Sequence, residues 1–390
     1  MTTERRNADI ECLRAMAVLG VAFLHLQGNL FHPELSWLHR FLQHSSYWSG
    51  VDLFFAISGF VIGRSLLPPM LEHQHHLRNQ LRTIWAFWIR RVWRLLPSAW
   101  LWLMLILVAS IFFNESGVFG TPHANAMAAL AGMLNIANAR GFGGAFFQYE
   151  NGASFVYWSL SLEEQFYFLL PILALCLRKR IGALMIVLFL IQLFLVRTPL
   201  LMSFRNGAIA LGVLLSIAES GIAYRVANPS WLLHLGGMRW IVPLMLFGLL
   251  SVLASPDLQN WRWRISAIAV VSATLVWLAS YDSDYLFPTG RFKQALVWVG
   301  VRSYAIYLIH IPAYYFIREA AFRLGIQIAN ADFAHTALLF MAAVAVMTAL
   351  ADLNYRVIER PLRRYGRSLA NRCLNRNTPP IVLPTPLHPS

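Results

Sequence analysis

The chain is poor in charged residues, which make up 13% of its 390 positions, whereas hydrophobic residues make up 58%. A water-soluble domain needs a far more charged surface, so this scarcity excludes an ordinary soluble protein. Apolar stretches of about twenty residues recur along the chain, and that is the length that crosses the hydrocarbon core of a bilayer. The composition therefore predicts a polytopic membrane protein.

Cysteine and lysine are also scarce. Cys12, Cys176 and Cys373 lie far apart without pairing or metal-ligand spacing, so neither a disulfide nor a metal site is expected. Lys179 and Lys293 are the only lysines, and arginine supplies nearly all of the net charge of +14. In a soluble chain this charge would suggest nucleic acid, but here the arginines cluster in alternate loops, as the positive-inside rule describes. We therefore expect a lipid bilayer as partner and no nucleic acid.

Hydropathy divides the chain into about ten predicted membrane spans. Their approximate ranges are 12–30, 50–67, 96–113, 158–177, 182–197, 205–219, 239–255, 264–281, 295–317 and 334–353. Arginines are concentrated after the even-numbered spans, so both termini are predicted to be cytoplasmic. The expected fold class is all-α: a polytopic transmembrane bundle of about ten helices.

The first span carries two residues that a membrane helix normally avoids, Arg14 near its start and His25 near its end. Their separation returns them to about the same helical face, at two depths. Ionisable groups inside a membrane are costly and by default mark a functional site that faces the bundle interior. The alternative is that Arg14 snorkels to one surface and His25 reaches the other.

Two later spans carry acidic residues. Asp52 begins the second span, where it could orient the His25 imidazole, although an aspartate that caps a helix is an equal alternative. Glu163 and Glu164 lie about a turn into the fourth span, with Gln165 beside them. Adjacent side chains point roughly 100° apart, so at most one of the two carboxylates is expected to face a shared cavity.

Arginines precede the third span in the segment WIRRVWRLLP. Arg90, Arg91 and Arg94 are helical neighbours there, and their guanidinium groups could clamp a phosphorylated ligand. Anchoring of the topology or contact with lipid headgroups is the alternative.

The ninth span contains RSYAIYLIHIP, in which polar residues recur every three positions. Tyr304, Tyr307 and His310 therefore drift slowly around one face and could form a polar wall of the same cavity. An ordinary packed stripe of tyrosine and histidine is the other interpretation.

Six segments in order resemble the acyltransferase-3 family of bacterial membrane acyltransferases. Arg14 and His25, with ten residues between them and with Asp9 and Leu13 nearby, resemble its first-helix signature. The later segments are GVDLFFAISGF, RRVWRLLP, WSLSLEEQFY, SYAIYLIH and YRVIERPL. The resemblance covers residues 1–365 as one transmembrane domain. The remainder, 366–390, is predicted to be a cytoplasmic, proline-rich tail that is disordered.

The resemblance implies ten helices in the bacterial cytoplasmic (inner) membrane, with both ends cytoplasmic. It also implies transfer of an acyl group, usually acetyl from cytosolic acetyl-CoA, to a hydroxyl of a glycan or lipid-linked glycan at the outer side. No metal is required. By the same resemblance His25 is the catalytic histidine, and the residues that serve the donor are Arg14, Arg90, Arg91 and Arg94.

The residues and the resemblance together predict one chemistry. His25, oriented by Asp52 or Glu163, would deprotonate the acceptor hydroxyl, or would itself take the acetyl group first. The acceptor is open: a surface polysaccharide, exopolysaccharide or lipopolysaccharide, or a small molecule such as a macrolide. A transporter with an intramembrane proton relay is the alternative class.

Some family members carry an outer esterase-like domain. This chain shows none, so it is expected to complete the transfer alone or with a partner.

Overall fold

The computed structural model describes residues 7–30, 43–142, 152–195, 198–326, 328 and 333–375. Within these ranges the regular secondary structure is helical and contains no β-strand, which confirms the all-α class. The α-helices of the described ranges, numbered in chain order, are α1 Ala8–Leu26, α2 Gly50–Glu72, α3 Leu77–Phe112, α4 Pro122–Met133, α5 Ala137–Phe142, α6 Tyr157–Leu177, α7 Ile181–Phe194, α8 Pro199–Ser203, α9 Gly207–Ala218, α10 Ile222–Val226, α11 Ile241–Leu253, α12 Arg264–Ser280, α13 Arg291–Val301, α14 Ser303–Arg323, α15 Phe333–Asn354 and α16 Arg360–Asn375.

Five helical stretches of the described ranges are long and apolar enough to cross a membrane, or six if the bent pair α13 and α14 forms one span. Each predicted span overlaps a helix, but several of these helices are shorter or more charged than that standard. The helix α1 carries three charged residues, Asp9, Glu11 and Arg14, within its 19 positions. The structure thus shows several apolar helices, whereas the number ten and the side of each terminus stay predictions.

The third helix is longer than its apolar segment suggests. It begins at Leu77, whereas the predicted span begins at residue 96, so the arginine-bearing segment before that span belongs to the same helix. The arginines at its start limit hydropathy but not helix formation, because arginine is a good helix former. Arg90, Arg91 and Arg94 therefore lie in the middle of a 36-residue helix.

The predicted span 295–317 is two helices instead of one. The chain bends by 74° between α13 and α14, and the break lies at Arg302. The Nε atom of Arg302 donates to Oδ1 of Asp352 at 2.7 Å, and its guanidinium lies 4.0 Å from the Trp298 ring centroid. Gly300, just before the bend, packs so closely that a Cβ atom would overlap the carbonyl oxygen of Glu11.

The chain continues from α15 through a π-helical segment, Tyr355–Glu359, into α16. Residues 366–375 are therefore helical, and their assignment to a disordered tail is wrong. The helix packs against α3, where Gly366 meets Trp93 and the rings of Tyr365 and Trp93 lie edge to face at 4.8 Å. Residues 376–390 lie outside the described residues.

The first helix lies at the centre of the bundle, where it contacts α2, α12, α13 and α14. The helices α2 and α9 form the most extensive helix pair, because small residues let their backbones meet. A Cβ atom on Gly59 would overlap the Ile209 carbonyl oxygen, and one on Gly212 would overlap that of Ala56. These close contacts hold α2, one of the helices that pack against α1.

Candidate active site

The main cavity of the described residues lies among α1, α2, α3, α6 and α14. Its empty volume is about 730 Å³ when the open mouth is included. The polar residues that line it are Arg14, Ser58, Arg91, Arg94, Ser159, Glu163, Glu164, Tyr167, Ser303, Tyr304 and Tyr307. Apolar side chains such as Phe54 and Phe55 complete the wall, so charged groups and an apolar surface face the same space.

Three arginines reach this cavity, and a fourth candidate does not. Arg14, Arg91 and Arg94 line it, whereas Arg90 is not among the lining residues. The helix separates the triplet in this way because Arg91 and Arg94 are i, i+3 neighbours, while Arg90 points about 100° away from Arg91. The guanidinium of Arg91 lies 5.1 Å from the Tyr167 ring centroid, which fixes its direction.

The two glutamates of α6 both line the cavity, so the expectation that only one would do so is wrong. Glu163 accepts hydrogen bonds from the hydroxyl groups of Ser58 and Tyr167. Glu164 borders the cavity and also an adjoining crevice beside Trp88, because the open space extends around this side of α6. Neither glutamate hydrogen-bonds His25 in the described structure.

Gln165 does not join the cavity wall. Its amide nitrogen donates to the Asn135 carbonyl oxygen at 2.7 Å and to the Asn138 side chain at 2.8 Å. The Asn138 amide donates back to the Gln165 oxygen at 3.1 Å. Gln165 therefore fastens the α4–α5 connection to α6, and its assignment to the cavity is wrong.

The tyrosines of α14 form the polar wall that their spacing predicts. The Tyr304 hydroxyl donates to the Leu95 carbonyl oxygen at 2.9 Å. The hydroxyl groups of Tyr307 and Ser159 are 2.7 Å apart and hydrogen-bond each other. Both tyrosines line the cavity, whereas His310, one turn further along α14, lies beyond it.

His25 and His310 form a pair immediately behind Tyr307. Nδ1 of His25 lies 3.0 Å from Nε2 of His310, and the rings stack with centroids 5.1 Å apart. Nδ1 of His310 lies 2.7 Å from the Tyr307 carbonyl oxygen. Phe155 packs edge-on against the His25 ring at 5.2 Å. Sequence reasoning named both histidines but missed their contact, since 285 positions separate them.

Asp52 does not orient His25, so that prediction is wrong. Its two carboxylate oxygens accept from Nε of Arg205 at 3.1 and 3.2 Å, and both side chains are almost fully buried. The Arg205 guanidinium also lies over the rings of Trp48 and Trp158, whose centroids are 5.2 and 4.6 Å away. An aspartate held in such a buried pair is not available to the imidazole.

A second chamber adjoins the main cavity and shares Arg14 and Arg94 with it. Glu359 and Arg363, from the π-helical segment and α16, also line this chamber. Sequence reasoning quoted YRVIERPL only as a resemblance and assigned no role to these residues. The sequence feature that could have identified them is a glutamate beside arginines immediately after an apolar span. Glu359 is held by the Asn354 amide at 2.9 Å.

Comparison with known families adds to this geometry. Residues 7–352 match the acyltransferase domain of the acyltransferase-3 family, so the chain belongs to that family. It is 26% identical to a Staphylococcus aureus (strain MSSA476) protein named "Putative O-acetyltransferase", over 94% of this chain and 59% of that protein. It is 24% identical to the O-acetyltransferase OatA of S. aureus strain NCTC 8325, over 94% of this chain and 58% of OatA.

The chain thus spans less than two thirds of the length of these curated relatives. No solved structure matches it significantly. The chain thus belongs to a family of membrane acyltransferases, and its several apolar helices agree with a multi-pass membrane protein.

Proposed function

We propose that the chain is an acetyl-CoA-dependent O-acetyltransferase of the bacterial cytoplasmic membrane, which acts on a hydroxyl of a cell-surface or lipid-linked glycan. The observation that carries this proposal is that an arginine-lined cavity and a histidine pair both contact Tyr307. Three arginines and Tyr307 line the cavity, and the Tyr307 carbonyl oxygen is hydrogen-bonded by His310, the partner of His25. Arginines suit the phosphates of a nucleotide-type donor, and an imidazole suits proton transfer in acyl transfer.

The donor would enter through the arginine-lined chambers. Phosphate groups would bind Arg14, Arg91 and Arg94, whose forked guanidinium groups recognise phosphate in a bidentate manner. The pantetheine arm would then lie along the apolar wall that Phe54 and Phe55 provide. Its thioester would pass Tyr307 to reach the histidine pair. No residue of this path requires a metal ion.

The reaction would use the imidazole of His25. The acceptor hydroxyl oxygen would attack the thioester carbonyl carbon while His25 takes the hydroxyl proton. The carbon–sulfur bond would then break, and the coenzyme A thiolate would receive that proton from the imidazolium. In the alternative route His25 attacks first, carries the acetyl group and passes it to the acceptor. Incubation of the protein with labelled acetyl-CoA without acceptor, followed by rapid quenching, distinguishes the two routes. Only the second route attaches labelled acetyl to the protein.

Inverted membrane vesicles with labelled acetyl-CoA test the function, because these vesicles expose the cytoplasmic face. The wild-type chain should incorporate label into an extractable glycan or lipid-linked fraction. His25→Ala should abolish incorporation at equal expression, whereas the control His75→Ala, at an exposed histidine, should not change it. Equal incorporation with His25→Ala would remove His25 from the chemistry. No incorporation by the wild-type chain would contradict the assigned donor or acceptor.

A further inference from the structure

We propose that His310 is a positioning residue that holds His25 in the tautomer whose Nε2 atom can accept a proton. The proposal rests on the function proposed above and assigns a role to a residue that lines neither chamber. It follows from a chain of two hydrogen bonds that begins at a backbone carbonyl group of α14.

The first hydrogen bond fixes the proton on His310. Its Nδ1 atom lies 2.7 Å from the carbonyl oxygen of Tyr307, one helical turn earlier. A carbonyl oxygen only accepts hydrogen bonds, so Nδ1 of His310 must carry the hydrogen. In a neutral imidazole the other nitrogen then has a lone pair, so Nε2 of His310 is an acceptor.

The second hydrogen bond transmits this assignment to His25. Nδ1 of His25 lies 3.0 Å from the Nε2 acceptor of His310, so Nδ1 of His25 must donate. The neutral His25 ring therefore keeps its lone pair on Nε2. The described residues give Nε2 no hydrogen-bond partner, so its lone pair is free to accept a proton. When Nε2 gains a proton, Nδ1 continues to donate to His310, and the new positive charge keeps its hydrogen bond.

The surroundings of the pair oppose rotation of either ring. His310 is fully buried, and its ring plane is inclined by 26° to that of His25. Phe155 closes the edge of the His25 ring at an angle of 83°. The backbone is held as well, because the Asn29 amide donates to the His25 carbonyl oxygen at 2.6 Å and itself accepts from Arg318 at 3.0 Å. In metal sites, where a second residue orients the histidine ligand, mutation of that residue commonly costs about 10–100-fold in metal affinity or activity.

The tautomer can be read directly by ¹⁵N NMR of the full-length chain in lipid nanodiscs with ring-labelled histidine. The His25 signals are those that His25→Ala removes. We expect the hydrogen on Nδ1 of His25 in the wild-type chain and in His310→Gln, because the glutamine oxygen can replace the Nε2 acceptor. His310→Phe keeps the ring volume without an acceptor, so the hydrogen should redistribute to Nε2.

Acetyl transfer by the same preparations supplies the second readout. His310→Phe should lower kcat by about 10-fold or more with little change in KM for the donor, and His310→Gln should recover most of that loss. A hydrogen on Nε2 of His25 in the wild-type chain would overturn the proposal, even if His310→Phe failed to fold. Equal loss of kcat in both folded variants would also overturn it. A wild-type chain with the expected tautomer but no acetyl transfer would instead contradict the proposed function.

Discussion

Removing one member of the buried pair Asp52–Arg205 should be far more costly than removing both. The two side chains are 2% and 5% exposed, respectively. Arg205→Met leaves the Asp52 carboxylate in the bundle without the guanidinium that it binds, for which we expect a loss of about 3–5 kcal/mol in the free energy of unfolding. It also removes the contacts of a cation with two tryptophan rings, each worth about 0.5–2 kcal/mol. Asp52→Leu should be similarly costly because it leaves the guanidinium unpaired.

The double variant Asp52→Leu with Arg205→Met should lie within about 2 kcal/mol of the wild-type stability, since apolar replacement of a buried ion pair is often neutral. Unfolding by SDS in mixed micelles, followed by tryptophan fluorescence, measures these differences. The exposed pair Arg64–Glu219 supplies the control, because its arginine is 53% exposed and Arg64→Met should cost at most about 1 kcal/mol.

Two results would refute this reasoning. Wild-type stability of Arg205→Met would show that the pair does not hold α2. A double variant less stable than either single variant would show that the ion pair itself, and not its rupture, determines stability. Acetyl transfer by the double variant then tests whether Asp52 takes part in the reaction. Retained activity would show that His25 does not depend on Asp52.

Three further predictions concern the cavity and its walls. Arg94→Gln should raise KM for the donor by about 10-fold or more in a steady-state transfer assay. Arg90→Gln, the control, should change this KM less than about 3-fold. Equal effects of the two substitutions would contradict the assignment of the cavity arginines. Gly59→Ala should cost about 1–3 kcal/mol by SDS unfolding because its Cβ atom would overlap a backbone carbonyl. At Gly248 an added Cβ atom meets no atom within 4 Å, so Gly248→Ala should leave the stability unchanged or stabilise its helix. A loss of stability as large as that of Gly59→Ala would contradict the packing argument. Asp352→Ala should lower transfer by loosening α14, and a variant with unchanged kcat and KM would show that the bend does not position the site.

The helical class and the main residues of the cavity were predictable, because they depend on local pattern. Apolar runs predict helices, and costly ionisable groups such as Arg14 and Glu163 within them predict an interior site. The i, i+3 relation of Tyr304 and Tyr307 correctly predicted that both would face one space. These inferences need no knowledge of which helix packs against which.

The partners of each polar group could not be predicted, because they depend on contacts between distant segments. Asp52 is near the start of α2, and its true partner Arg205 lies 153 positions later. The same holds for His25, whose partner belongs to α14. Gln165 looked equivalent to its neighbours in sequence, but the helix turns it towards Asn138. The bend at Arg302 was missed because apolar residues continue on both sides of it.

That bend gives the last apolar helix control over a site to which it contributes no lining residue. A kink made by proline belongs to its own helix, whereas Arg302, at this break, is held in part by Asp352, a side chain of α15. A contact from outside α14 therefore contributes to the direction of that helix and to the positions of Tyr304, Tyr307 and His310. A change in α15 could therefore alter the geometry of the candidate site while every residue that lines the cavity stays the same.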